Sequence, residues 1–122
     1  MEVPVRELQV IHAAEAAEVC PPMEVTADAR PIEGRSADED LAAFAKAIGH
    51  PARVQILRLL ARHNACFRDL ADALPLAPST VSQHVKILKE AGLVRGDVEG
   101  PRACYCIDPR NFRRLKILTA AL

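Results

Sequence analysis

Apolar residues recur every three or four positions over most of this chain, and the breaks in that rhythm mark out its elements. Val5, Leu8, Ile11 and Ala14 predict a first helix within residues 3–19, ended by Cys20-Pro21-Pro22. The MEVTADARPIEGR that follows reads as a loop. Ser36-Ala37-Asp38-Glu39 fits a capping box, in which Ser36 accepts from the Glu39 amide and Glu39 reaches back. The helix behind it carries Leu41, Phe44, Ala45 and Ile48 on one face. Gly49-His50-Pro51 closes that helix and opens another, because glycine suits a helix end and proline a first turn. From Pro51 to Arg62, Val54, Leu57 and Leu60 repeat at helical spacing, with His50 and His63 expected as capping or surface residues.

The stretch FRDLADALPLAPSTVSQHVKILKEAGLV is the most informative. A short helix turns Phe67, Leu70, Ala71 and Leu74 inward, Pro75-Leu76-Ala77 makes a tight connection, and Pro78 opens a helix ending at Gly92. On that second helix Val81, Val85 and Leu88 share one face. A rotation of ~100° per residue sets Ser79, Gln83 and Lys86 opposite, flanked by Thr80 and Ser82. Small hydroxyls, an amide and a lysine suit phosphates and base edges, whereas His84 falls beside the apolar face as a packed residue. The pattern predicts a helix-turn-helix. LVRGDVEGPRACYCI then reads as a hairpin, a wing with strands Leu93 to Val98 and Arg102 to Ile107 and its tip at Glu99-Gly100-Pro101. The final PRNFRRLKILTAAL predicts a helix whose Phe112, Leu115, Ile117 and Leu118 are available to a partner. An apolar helix at each end of the chain predicts a dimer, which suits a two-fold DNA site.

Composition narrows the class. In 122 residues, 50% are hydrophobic but only 3% aromatic, so the core must be mostly Leu, Ile, Val and Ala. No apolar run approaches the ~18 residues that span a bilayer, and the acidic MEVPVRELQV is unlike a signal peptide. A cytoplasmic protein without membrane partners is expected, and there the four cysteines read as thiols. The zero net charge hides an asymmetry: residues 1–40 balance at −7, residues 41–77 at +3 and residues 78–122 at +4. Basic charge therefore gathers around the helix-turn-helix. No glycine-rich phosphate loop, catalytic carboxylate pair or nucleophile–base signature is present, so neither an enzyme nor a permanent cofactor is expected.

AIGHPARVQILRLL, STVSQHVKILKEAGLV and EGPRACYCIDP together resemble the ArsR/SmtB family of small dimeric winged-helix repressors, over residues 37–122. The resemblance implies a mainly α fold with a small β-hairpin wing and a dimer through the first and last helices. It also implies release of operator DNA on binding a metal or metalloid. Residues 1–36 would then be a dimerisation helix and loop, and residues 37–122 the winged helix-turn-helix that binds DNA and senses the inducer. Two family patterns are altered. Arsenic-responsive members carry a segment like Cys-Val-Cys-Asp-Leu, where this chain has Cys66-Phe67-Arg68-Asp69-Leu70. Zinc-responsive members place His and carboxylate ligands on the last helix, which here holds neither after Asp108.

In a winged helix the short extended segment before the helix-turn-helix lies against the wing strand. If NACF pairs with ACYC, Cys66 faces Cys104 and Cys106 across a strand spacing of ~5 Å. Cys104 and Cys106 share a face and Tyr105 takes the other. Three thiols without histidine or carboxylate select soft ions. Trivalent arsenic or antimony leaves a neutral site, whereas a divalent ion leaves a negative charge that burial penalises. Arg102 offsets such a charge, so cadmium or lead sensing stays open. Disulfide sensing also stays open, through Cys66 and either wing cysteine rather than through Cys104 and Cys106, whose Cα atoms stand ~6.6 Å apart with parallel side chains. Cys20 has no assigned part. The sequence thus predicts a repressor with As(III) or Sb(III) as inducer at Cys66, Cys104 and Cys106. Ser79, Thr80, Ser82, Gln83 and Lys86 would enter the major groove and Arg102 reach phosphate. A winged-helix module for protein partners is the alternative of a different class.

Overall fold

A computed structural model describes residues 28–63, 65–97 and 104–122. The expected first helix, Cys20, the wing tip and Arg102 lie outside the described residues. The elements run α1 (Arg35–Ile48), α2 (Pro51–Arg62), β1 (Ala65–Cys66), α3 (Phe67–Ala73), α4 (Pro78–Glu90), β2 (Val94–Asp97), β3 (Cys104–Ile107) and α5 (Pro109–Ala120). Proline in the first turn starts α2, α4 and α5, where its missing N–H leaves no helical bond unmade. His50 caps α2 by accepting the Ala52 amide at 3.0 Å, as a capping histidine should. Asp108 caps α5, its Oδ1 accepting the amides of Arg110 and Asn111 at 3.1 Å each.

The expected capping box does not form. Gly34, at φ +95°, is the residue before α1, and its carbonyl accepts the Asp38 amide at 3.0 Å. That bond begins the helix at Arg35, so Ser36 already has helical backbone and supplies no side-chain cap.

α3, the Pro75 turn and α4 make the helix-turn-helix, packed on α1 and α2. Val81, Val85 and Leu88 of α4 are fully buried, as their spacing predicts. On α2 the core face rotates slightly: Ile56, Leu57, Leu59 and Leu60 are buried, whereas Val54 is half-buried. Ala45 is exposed and Ala71 half-buried, both against expectation, since small side chains at the edge of a stripe gain little by turning inward. On α5, Leu115 and Leu118 are consumed by the protomer's own core, leaving Ile117 exposed.

The three strands form one antiparallel sheet in the order β1-β3-β2. β3 is central and pairs Tyr105 with Ala65 on one side and with Gly96 on the other. Tyr105 and Ala65 are fully buried and anchor the sheet to the helices. Architecture and strand order are those of a winged helix-turn-helix. No helix among the described residues is long and apolar enough to cross a membrane.

Candidate thiol centre and nucleic-acid interface

Strand alternation sorts the sheet into two faces. Ala65, Val94, Gly96, Tyr105 and Ile107 occupy one, Cys66, Arg95, Cys104 and Cys106 the other. Cys66 stands directly opposite Cys104 in register, so their Cβ atoms are ~5 Å apart. The pairing expected from NACF and ACYC is therefore present. Cys104 and Cys106 are only 3% and 4% exposed, although they lie on the face turned from the core, and Cys66 is half-buried.

The three sulfurs are not chemically equivalent. Cys66 and Cys104 are thiols, whereas Cys106 is disulfide-bonded. This corrects the expectation of three thiols side by side, and in this state the trio is a pair. Spacing within β3 made Cys104 and Cys106 a poor pair for a disulfide, and it carries no information about any other partner for Cys106. Among the described residues no group of three or more His, Cys, Asp or Glu side chains is gathered closely enough to hold a metal ion.

Cys66 is also the residue that caps α3. Its backbone bonds to Asp69 in the first turn of that helix, which pulls the Asp69 carboxyl down, while burial and neighbouring Asp72 push it up more strongly. On the far side of the sheet, Lys89 Nζ donates to the Gly96 carbonyl at 2.7 Å, tying the end of α4 to β2.

The nucleic-acid face is open. Ser79, Thr80, Gln83 and Lys86 are all exposed on α4, and Ser82 is half-buried. Beyond that expected set, Ile87 joins the outward surface at 37% exposure, and Arg68 is exposed on α3. Arg102 lies outside the described residues.

Behind α4, Gly92 links the helix-turn-helix to α5. Asn111 Nδ2 donates to the Gly92 carbonyl at 2.8 Å, and Asn111 Oδ1 accepts from Arg30 at 3.2 Å. Arg30 in turn grips Asp28 through Nε and a terminal nitrogen, holding that carboxyl well below the usual carboxylate range. Arg110 adds a longer contact to Asp28 at 3.6 Å. Arg114, 3% exposed, donates to Asp40 at 3.0 Å and to the Pro31 carbonyl at 2.9 Å. Sequence spacing did not identify this strap. Its one legible sign was the excess of arginine in RNFRR.

Comparison with known proteins agrees with the geometry. Residues 50–95 match the model of a family described as bacterial regulatory protein, arsR family. A helix-turn-helix transcriptional regulator of Methanocaldococcus jannaschii is 37% identical over 82 residues, 66% of this chain and 92% of that protein. The helix-turn-helix transcriptional repressor SmtB of Mycobacterium tuberculosis is 40% identical over 60 residues, but the match spans only 49% of this chain and 44% of the repressor. A crystal structure described as a possible transcriptional regulator for arsenical resistance superposes with a TM-score of 0.57 at 30% identity, covering 62% of this chain and 79% of the other. All three carry the names of regulators, and none is named as an enzyme.

Proposed function

The chain belongs to the ArsR/SmtB family of transcriptional regulators, and on that premise we propose that it is a homodimeric repressor released from operator DNA when trivalent arsenic or antimony binds Cys66, Cys104 and Cys106. The observation that carries this reading is the register: Cys66 directly faces Cys104, with Cys106 next along the same face. A low-molecular-weight thiol first reduces the Cys106 disulfide, two thiols being oxidised to one disulfide as two protein thiols form. Arsenous acid then condenses with the three thiols, forming three As–S bonds and releasing three waters. The product is neutral and suits the buried positions of Cys104 and Cys106. Cadmium has the required softness but leaves the site charged.

Ser79, Thr80, Ser82, Gln83 and Lys86 would meet the major groove, with Arg102 on phosphate. Their hydroxyl, amide and lysine chemistry disfavours a module for apolar protein partners. The dimer is supported by the apolar groups Ile32, Ile117 and Leu122, exposed where the segment before α1 meets α5. Such a protein works in the cytoplasm, on duplex DNA. An inducer bridging β3 to Cys66 would pull on the first residue of the helix-turn-helix. It releases DNA by binding the DNA-free form more tightly, and couplings of this kind are typically about 1–3 kcal/mol.

A second reading is favoured by one observation, the disulfide at Cys106: the same sheet would sense oxidants through its sulfurs. Both readings are tested on a duplex recovered by in vitro selection, with binding followed by fluorescence anisotropy. The reduced protein should release DNA on addition of arsenite or antimonyl tartrate, at concentrations where zinc has no effect. Cys104→Ser should need at least about tenfold more arsenite, a loss of about 1.4 kcal/mol. Release of Cys104→Ser at the parent's arsenite concentration sinks the site. Release by a disulfide oxidant alone, with no response to arsenite, selects the second reading.

A further inference from the structure

His84 lies on the recognition helix α4 but turns away from the groove, toward the start of α2, where it meets two groups of its own chemistry. Its ring centroid stands 4.6 Å from that of His50, with the planes tilted by 42°. Its Nδ1 is 3.4 Å from a terminal nitrogen of Arg53. A guanidinium nitrogen can only donate, so Nδ1 of His84 is an acceptor and the imidazole is neutral, with its proton on Nε2. His50 is under the same constraint, because its Nδ1 accepts the Ala52 amide at 3.0 Å and thereby caps α2. Both imidazoles thus do their structural work through an unprotonated Nδ1.

We propose that His84 and Arg53, with His50 packed beside them, form a proton-operated latch, which holds the recognition helix against α2 while the His84 imidazole is neutral and loosens it when that imidazole is protonated. A proton on His84 Nδ1 removes the acceptor for Arg53 and places a cation against a guanidinium and a second imidazole. Arg53 Nε is buried without a hydrogen-bond partner among the described residues, so the contact to His84 Nδ1 is a polar tie of this guanidinium that protonation would remove.

The groups acting on His84 are Arg53 from α2 and His50 from its cap. Lys46 and the carboxylates of α1, Arg68, Asp69 and Asp72 of α3, and Arg95 of β2 are not among them, so no anion among the described residues compensates the added charge. Burial first, then His50 and Arg53, hold the His84 pKa below its ordinary value. The latch is therefore closed at neutral pH and opens below the ordinary histidine range, about pH 6.5. It uses no cysteine and needs no inducer, and only its DNA readout rests on the function proposed above.

The direction is diagnostic. Added protons make a protein more cationic, which by itself tightens DNA binding. The latch predicts the opposite. At constant salt, affinity for the selected duplex should fall at least about fivefold between about pH 7.5 and pH 5.5, the lower end of typical couplings. His84→Gln, whose Oε1 can accept from Arg53 but never becomes cationic, should bind like the parent at neutral pH and lose that fall. Arg53→Gln removes the repelling charge and leaves an amide that can donate to a neutral Nδ1 or accept from a protonated one, so it should flatten the fall. Imidazole titration by NMR in the absence of DNA separates the latch from the DNA-binding reading, because His84 should titrate below the ordinary histidine value. The latch is overturned if His84 titrates at or above that value, if the parent binds as tightly in acid, or if His84→Gln keeps the parent's slope.

Discussion

Gly96 is the position where one added methyl group tests the sheet that carries the cysteines. It stands at φ +122° in β2, and a Cβ there falls 2.1 Å from the Cys104 carbonyl oxygen and 3.1 Å from Tyr105 Cα. Both atoms are backbone of the central strand, so no rotamer change relieves the contact. Gly34 supplies the control: it stands at φ +95°, and a Cβ there meets nothing within 4 Å. Gly34→Ala thus measures conformational strain alone, about 1–3 kcal/mol. Gly96→Ala carries similar strain plus the collision, which only separation of β2 from β3 removes. Losing two ladder hydrogen bonds at about 1 kcal/mol each puts its total at about 3–5 kcal/mol. Urea unfolding followed by circular dichroism measures both variants. Each kcal/mol corresponds to about 4 °C in Tm for a chain of 122 residues, so the two should melt well apart. Cys104, 3% exposed in the parent, should also react with Ellman's reagent faster in Gly96→Ala. If Gly96→Ala unfolds within about 1 kcal/mol of Gly34→Ala, the close approach of β2 to β3 is wrong, and with it the register that sets Gly96 against Tyr105 and Arg95 against Cys106.

Other substitutions probe the supports of the site. Arg114 is buried whereas Asp40 is 39% exposed, so their ion pair should be asymmetric. Asp40→Asn strands a buried guanidinium and should cost about 2–3 kcal/mol, less than a fully buried pair, whereas Arg114→Met leaves a hydrated carboxylate and should cost about 1 kcal/mol; equal losses in urea unfolding would refute this account. Asn111→Ala removes the bridge between the Gly92 carbonyl and Arg30 and should cost about 1–2 kcal/mol by the same measurement, and no loss would show the strap to be ornamental. His50→Ala removes the α2 cap and should cost about 1 kcal/mol in urea unfolding, and no loss would show that the cap contributes nothing.

Local signals read well from this sequence because each rests on a few neighbouring residues. Pro51, Pro78 and Pro109 announced three helix starts, and the stripe Val81, Val85 and Leu88 oriented the recognition helix so that Ser79, Gln83 and Lys86 emerged on the open side. Ser36 misled, because a capping pattern says nothing about a glycine two residues earlier whose carbonyl can start the helix first. The facing of Cys66 and Cys104 was legible only through resemblance, since strand register is a property of two distant segments. Arg95 opposite Cys106, the disulfide at Cys106 and the meeting of His84 with Arg53 were not legible at all. His84 and Arg53 are 31 positions apart and come together only when α4 packs on α2. Periodicity assigned His84 to the edge of the apolar face, which was right about its direction and silent about its company.

β1 ends and α3 begins without a spacer, Cys66 closing the one and capping the other. Mechanically the joint has no backlash. A loop between strand and helix could absorb an ångström of travel as slack, whereas here a tug on the Cys66 side chain would act directly on the first turn of the next rod. The same stiffness would cut the other way under the proposed function: DNA settling against the helices would preload the sulfur pair, and grip would trade off against chemical sensitivity.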